Sequence, residues 1–480
     1  MRFPGGMTFF FLFVCVLANA AELETLKAHG SKDGVPYAGV RSPGQFVRLP
    51  AKYMPKEKEF RGVWVATIEN IDFPLCRTAE DFRKAWLDVV NRIAAAGFNA
   101  VIFQVRPRCD AFYHSSINPL SHTMTGTEGG RFTDEPEFDP LPFMIREAHR
   151  RNLEFHAWLN PYRVVGRTPL KKKAYLETLD PANYARLNPS LVLEYPLDGK
   201  NRGLILNPGE PTVMNYLIRT VREIVQQYDV DAIHMDDYFY PYADIGNSDE
   251  ASYRRFAKRG VSLEDWRRSN IDTLVWNVHR LLEKHNASAK RKVRFGISPF
   301  GIWANAPEPE EPDGKKKKTD KPVLSMENGS LTLGSQSYFT QFADTRKWVR
   351  EEWIDYIVPQ LYWGFPHAKA PYAALADWWA DAVKGTEVDL YIGHGVYRQG
   401  TTQDWRNPDE LAGQMRFNCL RPEIKGSVFF SYRRVFAPEN PAVKNAVRTV
   451  IEKYWKKKLN LIPTEKKAEK KAEKKAEKKK

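Results

Sequence analysis

The sequence runs to 480 residues, 42% hydrophobic and 13% aromatic, a composition able to bury a substantial core. Its four cysteines, one of them within the first twenty residues, exclude a disulfide framework, and their spacing matches no zinc motif. A net charge of +14 raises the question of a nucleic-acid partner, but nine Lys and four Glu crowd into residues 465–480 and "WKKK" and "GKKKK" hold seven more positives, so no basic stripe falls on a folded element and no nucleic acid is expected.

The first element in chain order is an export signal. Arg2, the apolar run "FFFLFVCVLA" and "ANA" before Ala21 follow the order of a cleaved secretory leader over residues 1–20, and the run is too short to span a bilayer comfortably. Residues 21–57 read as a linker with no core of their own, and the working domain is expected at 58–455. From Phe60, β-rich runs alternate with helical stretches: "FRGVWVATI" (60–68), "AVIFQVRP" (100–107), "EFHAWLNPY" (154–162), "AIHMDDYF" (232–239), "VRFGISPFG" (293–301), "YIVPQLYWGF" (356–365), "DLYIGHGVY" (389–397) and "SVFFSYR" (427–433). Amphipathic segments such as "EDFRKAWLDVVNRIAAA" and "PTVMNYLIRTVREIVQQY" lie between them. Eight near-continuously apolar strands, each followed by a helix, predict an α/β fold of the (β/α)8 type, a closed parallel sheet covered on both faces. An open doubly wound sheet is the rival, but no glycine-rich phosphate loop follows the first strand.

Loop lengths test this independently. Helices return to strands through short joints ("AGFNAV", "RRNLEF", "YDVDAI"), whereas strands leave through long ones at 108–139, 163–211 and 303–336. That asymmetry puts the working face at the C-terminal ends of the strands. The third long loop contains the proline- and charge-rich insert "APEPEEPDGKKKKTDKP". In the tail, 456–480, a four-residue repeat sets Glu above Glu and Lys above Lys, pairings that repel. The tail is expected to be solvated, with at most a weak contact to an anionic wall or membrane surface.

Chemistry-bearing residues gather at the strand ends. The second strand ends "QVRPRCDAFY", with Gln104, Arg106 and Asp110. In "HAWLNPYR" alternation places His156, Trp158 and Asn160 on one side, with Tyr162 and Arg163 beyond. The fourth strand, "DAIHMDDYFYP", brings His234, Asp236, Asp237 and Tyr238; the sixth brings Gln360, Tyr362 and Trp363; the seventh His394 and Tyr397. Aromatic planes beside amides, arginines and carboxylates suit a sugar, which offers ring faces for stacking and hydroxyls for hydrogen bonds. A single Trp is more often core than platform, but five strands ending alike weigh against core alone. Three histidines raise metal catalysis, yet the first strand lacks a His-x-His pair and no H-E-x-x-H occurs, so no metal or other cofactor is expected. No G-x-S-x-G elbow supplies a serine nucleophile.

Together "FRGVWVATIENIDFP", "QVRPRCDAFY", "HAWLNPYR", "LNPG", "DAIHMDDYFYP", "SPFGIW" and "VPQLYWG" resemble the bacterial glycosyl-hydrolase-like ten family from about Glu59 to Arg433. The resemblance implies a (β/α)8 barrel, export and glycoside hydrolysis; one member of that family cuts peptidoglycan glycan strands, preferring glycan stripped of its peptides. It also implies site roles for Asp72, Arg106, Asp110, Asn160, Tyr162, Arg163, Asp236, Asp237 and Gln360. Glu69, at a position expected to vary, is not carried over, and the lysine-rich insert and KKAE tail depart from the family pattern.

Glycoside cleavage needs an acid for the leaving oxygen and a nucleophile or base for the other face. Strand alternation turns His234 and Asp236 one way and Asp237 the other way or into the turn. By analogy with other barrel glycosidases Asp236 is then the expected general acid, with Asp237 as its electrostatic partner or a turn cap. Asp110 or Asp72 is the candidate second carboxylate; alternatively the N-acetyl group of the substrate attacks, as in chitinase-type chemistry. The expected protein is an exported, monomeric glycoside hydrolase whose partner is a polysaccharide, with peptidoglycan glycan favoured over plant or host glycans. The alternative from another class is a non-catalytic glycan-binding barrel, which need not keep the carboxylates of the fourth strand.

Overall fold

Eight parallel strands close into a barrel: β1 (Phe60–Val65), β2 (Ala100–Arg106), β3 (Glu154–Leu159), β4 (Ala232–Met235), β5 (Arg294–Ile297), β6 (Tyr356–Ile357), β7 (Asp389–His394) and β8 (Ile424–Phe429). They neighbour one another in chain order, and β8 pairs with β1 to complete the ring. Each strand is followed by a helix of the outer ring: α1 (Ala79–Ala95), α2 (Pro140–His149), α3 (Pro211–Gln227), α4 (Leu263–Asn286), α5 (Thr345–Arg350), α6 (Tyr372–Val383), α7 (Glu410–Asn418) and α8 (Pro441–Thr449). This is the (β/α)8 fold the sequence predicts. The computed structural model describes residues 22–42, 44–307 and 329–455, so the leader, most of the proline- and lysine-rich insert and the KKAE tail lie outside the described residues.

Local signals set the helix starts. Thr78 and Ser262 cap α1 and α4 by accepting the amides of Asp81 and Asp265, with acidic residues in the first turn where the helix dipole favours them. Proline opens α2, α3 and α8, where its missing N–H costs nothing. β4, β5 and β6 are shorter than their runs, β6 most of all. Pro359 has no N–H to give the ladder, so regular pairing stops at Ile357 and resumes as the bridges Phe300–Gln360 and Gln360–Gly393.

The barrel interior is layered and partly polar. At its base Arg294 pairs with Glu154 and lies 3.8 Å from Asp389, while Phe60 stacks on Tyr391 with centroids 4.1 Å apart. Above them the Tyr356 hydroxyl bridges His156 (2.8 Å) and His234 (3.1 Å). Trp64 and Trp158 form the next layer and floor the mouth. His156 therefore does not reach the face where the sequence places it. It bonds Glu154 and Tyr356 inside the barrel, and burial lowers its pKa, as expected of a satisfied core histidine.

Residues 22–57, expected as a linker, are docked. Leu23–Thr25 pairs antiparallel with Arg48–Pro50, and Val35, Val47 and Leu49 are buried in the main core. Tyr37 donates to Asp377 of α6 (2.7 Å), and Arg416 of α7 reaches both Glu24 (2.8 Å) and the Pro50 carbonyl (3.0 Å). The apolar positions are too few and too scattered to predict an element; they pack on a surface supplied by the barrel helices. Cys76, Cys109 and Cys419 are free thiols.

Docking of this segment predicts that Leu49→Ala, which empties a buried site, lowers stability by about 2–4 kcal/mol. The measurement is the urea midpoint. Val40→Ala, at a side chain 61% exposed, should leave that midpoint unchanged.

Candidate active site

At the C-terminal mouth Asp236 and Asp237 stand beyond the end of β4. The strand closes at Met235, so alternation no longer governs them and both carboxyls turn toward the mouth. Asp236 is 5% exposed and is held from β3. Trp158 Nε1 donates to its Oδ2 (3.1 Å), Asn160 Nδ2 donates to both oxygens (2.9 Å each), and the Tyr238 amide adds a longer bond at 3.3 Å. Asp237 is 6% exposed and accepts from the Tyr242 hydroxyl and the Gln360 side chain. Gln360 is itself anchored by donating to the Ser298 carbonyl (2.9 Å).

These environments separate the two acids. Burial raises the pKa of Asp236, but Arg163 and the N–H donors of Asn160, Trp158 and Tyr238 oppose the rise by favouring the carboxylate. Burial and the charge of Asp236 push Asp237 up to about 7, with fewer donors to resist. The donors favour the carboxylate at Asp236, and burial beside that charge favours the proton on Asp237. The sequence makes Asp236 the expected general acid, whereas Asp237 is the carboxyl that its surroundings make the weaker acid.

Aromatic rings frame the pair. The Arg163 guanidinium lies over Tyr238 at 4.4 Å, Tyr238 meets Tyr242 edge-on at 5.2 Å, and Phe300 meets Tyr242 (5.8 Å) and Trp363 (5.3 Å) edge-on. Tyr362, near enough for the charge of Asp237 to raise its pKa, faces Tyr397 and Phe430 with centroids 6.0 Å away in each case. Asp236, Asp237, Trp158, Asn160, Arg163, Tyr238, Gln360, Tyr362 and Trp363 thus gather as the sequence places them.

Four other sequence candidates build the walls instead. Arg106 is fully buried, donating to the carbonyls of Asn160 (2.5 Å) and Pro161 (3.2 Å) and to the Tyr216 hydroxyl (3.1 Å). Asp72 accepts from the Ala66 and Arg433 amides (2.8 Å each) and the Ser431 hydroxyl (2.7 Å), tying the rim loops of β1 and β8 together. Asp110 takes the Arg108 amide (3.0 Å) and the Ser121 hydroxyl (2.7 Å). Tyr162 is buried beside them, its hydroxyl without a partner among the described residues. Asp72 and Asp110 both hold rim loops in this way, in place of the part expected of them as the second carboxylate, a nucleophile or base. His394 lies behind the sheet, bonded to Gln414 of α7 (2.9 Å) and Ser427 of β8 (3.2 Å). Sequence reasoning missed Tyr242, one residue past the quoted motif, and Phe300, which sits in "SPFGIW" without a polar atom to mark it. Among the described residues no group of three or more His, Cys, Asp or Glu is placed to hold a metal ion.

With this geometry established, comparison with known proteins is specific. The family described as glycosyl hydrolase-like 10 matches residues 59–407. The chain is 37% identical over 402 residues to glycosyl hydrolase YngK of Bacillus subtilis, covering 82% of this chain and 72% of that protein. It is 34% identical over 400 residues to glycosyl hydrolase DigH of Escherichia coli K12, covering 79% of this chain and 84% of that protein. Among solved structures it resembles the catalytic domain of β-amylase from Paenibacillus polymyxa (TM-score 0.47, 10% identity, 83% of this chain and 99% of that one). It also resembles the PgaB (BpsB) glycoside hydrolase domain from Bordetella bronchiseptica (TM-score 0.46, 12% identity, 78% and 94%).

The raised Asp237 carboxyl has a consequence for stability. An acid weaker in the folded than in the unfolded chain lets the unfolded state ionise first, so its contribution falls as pH rises from the ordinary 3.8 toward about 7. Asp237→Asn removes that loss. The variant should melt above the wild type at pH 8 and alongside it near pH 4, as read by calorimetry at both values.

Proposed function

The chain belongs to the glycosyl hydrolase-like 10 family, and on that footing we propose that it is an exported glycoside hydrolase cutting peptidoglycan glycan strands with Asp237 as general acid. The observation that carries this reading is the pair beyond β4: a carboxyl held up at about 7 beside one kept ionised by N–H donors. An acid of that strength is still protonated near neutral pH and can deliver its proton to the departing glycosidic oxygen. Asp236, ionised and fixed from β3, faces the positive charge that develops at the anomeric carbon.

The donor set of Asp236 also favours one route over another. Both its oxygens already accept N–H bonds, which lowers their nucleophilicity and suits electrostatic support better than covalent attack. Asp72 and Asp110 are committed to the walls. The attacking group is then the N-acetyl oxygen of the substrate, and that requires an N-acetylated sugar. Peptidoglycan glycan consists of such sugars, which agrees with the substrate implied by the sequence resemblance. Tyr238, Tyr242, Phe300 and Trp363 supply ring faces, and Arg163 and Gln360 supply donors. The leader-like opening of the sequence supports export.

Incubation with purified sacculi, and in parallel with cellulose, xylan and mucin, tests this reading by mass spectrometry of the released sugars. We expect N-acetylated saccharides from sacculi, and a loss of about 10²–10⁴-fold in Asp237→Asn. Binding without release would identify a glycan-binding barrel instead, and full activity in Asp237→Asn would remove it as the acid. The pH profile is a second check: activity should fall as pH rises through about 7, where Asp237 loses its proton. In Asp236→Asn the neighbouring charge is gone, the Asp237 pKa drops, and the fall in residual activity should move to lower pH.

A further inference from the structure

The loops leaving β2 and β3 enclose a second cavity of about 310 Å³ beside the mouth. That is the lower end of the range of small-molecule sites, about 300–1,000 Å³. Its wall begins one residue from Arg163, which neighbours the acid pair. The charge of Arg163 acts on Asp236 and Asp237 and its guanidinium donates to the Pro107 carbonyl (3.4 Å), while the next residues along the chain, Val164 and Arg108, line the cavity. Mouth and cavity thus share a partition made of residues 107–108 and 163–164.

The lining has the mixed character a pyranose requires. The ring of Tyr175 and the side chain of Leu179 offer apolar surface, and Arg108, Glu128 and Asn183 offer polar atoms. Those polar groups are held in place: Glu128 accepts the Asp180 amide (2.5 Å) and the Asn183 amide group (2.7 Å), and Asp110 fixes the backbone of Arg108 from behind. Burial pushes the Glu128 carboxyl up to about 7, so near neutral pH it can donate as well as accept. The Tyr175 hydroxyl bonds no other described residue. The Arg108 charge is paired with Glu69, and burial and Arg108 lower the pKa of His122, so neither offers an unpaired positive charge to an anion, which suits a neutral ligand.

We propose that this cavity is a distal subsite taking one pyranose residue of the same glycan chain, its face on Tyr175 and its hydroxyls on Arg108, Glu128 and Asn183. The proposal rests on the glycosidase reading of the mouth, but it is tested by binding rather than turnover. Full-length protein carrying Asp237→Asn is titrated calorimetrically with N-acetylglucosamine oligomers and with peptide-free peptidoglycan oligosaccharides of increasing length. Affinity should step up once the chain is long enough to cross the partition, by about tenfold, the worth of a ring contact and one hydrogen bond. Tyr175→Ala should abolish the step, as should Thr178→Trp, which fills the cavity from an exposed position, and neither should alter binding of the shortest ligand. A step that persists in both variants overturns the subsite, and so does affinity that never rises with length. If the step is present and wild type releases nothing from sacculi, the hydrolase reading fails and the subsite stands.

Discussion

The mouth of this barrel is organised by the hydrogen bonds that run from β3 to one carboxylate beyond β4. Trp158 and Asn160 reach Asp236 because the parallel register sets Trp158 opposite His234 and Leu159 opposite Met235, so residues just past the two strand ends come side by side. A slip of one residue would turn both donors away. Asn160 is itself clamped: its amide donates to the Arg106 carbonyl and its side-chain oxygen accepts the Arg163 amide (2.9 Å each). Beneath them the buried Arg106 guanidinium satisfies the carbonyls of Asn160 and Pro161, which would otherwise be left without donors in a dry wall.

The same donors that keep Asp236 ionised create the unusual state of Asp237. Two adjacent carboxyls sealed from water cannot both carry charge at low cost, so fixing the charge on one raises the affinity of the other for its proton. The asymmetry depends on burial, since water would screen the repulsion. It also depends on the floor below. Trp64, Trp158 and the His156–Tyr356–His234 chain fill the barrel beneath the pair with groups that bond one another. The barrel thus gives up some folded-state stability at Asp237 to hold a proton there.

The eight strands were legible because burial on both faces forces near-continuous apolar runs, a signal that survives without any partner sequence. The working face was legible from loop lengths alone. Side-chain direction was legible only where the strand continued. It served for Trp158 on β3 and failed at Asp237, because β4 closes at Met235, four residues before the end of the run read from the sequence. The docked segment 22–57 was opaque for a different reason: Val35, Val47 and Leu49 are buried by surfaces from distant parts of the chain, which no local period records. Tyr242 and Phe300 were missed because an aromatic residue looks the same in sequence whether it fills a core or frames a mouth.

The motif residues that never reach the mouth show what a rim of this kind demands. Asp72, Arg106 and Asp110 have the charge and position of catalytic groups, yet each bonds backbone groups of the rim together with one side-chain hydroxyl. Asp72 joins the loops after β1 and β8, Arg106 holds the turn after β3, and Asp110 holds the loop after β2. A loop leaving a barrel strand exposes amides and carbonyls that no helix or ladder covers, and burying them requires a polar side chain aimed backward. Such residues are as specific in type and spacing as catalytic ones, so a sequence motif cannot separate the two kinds. What separates them is the kind of partner: Asp72 and Asp110 each accept a backbone amide of a rim loop. Asp237 instead meets side-chain donors, a tyrosine hydroxyl and the Gln360 amide group, and burial beside Asp236 pushes its carboxyl up to about 7.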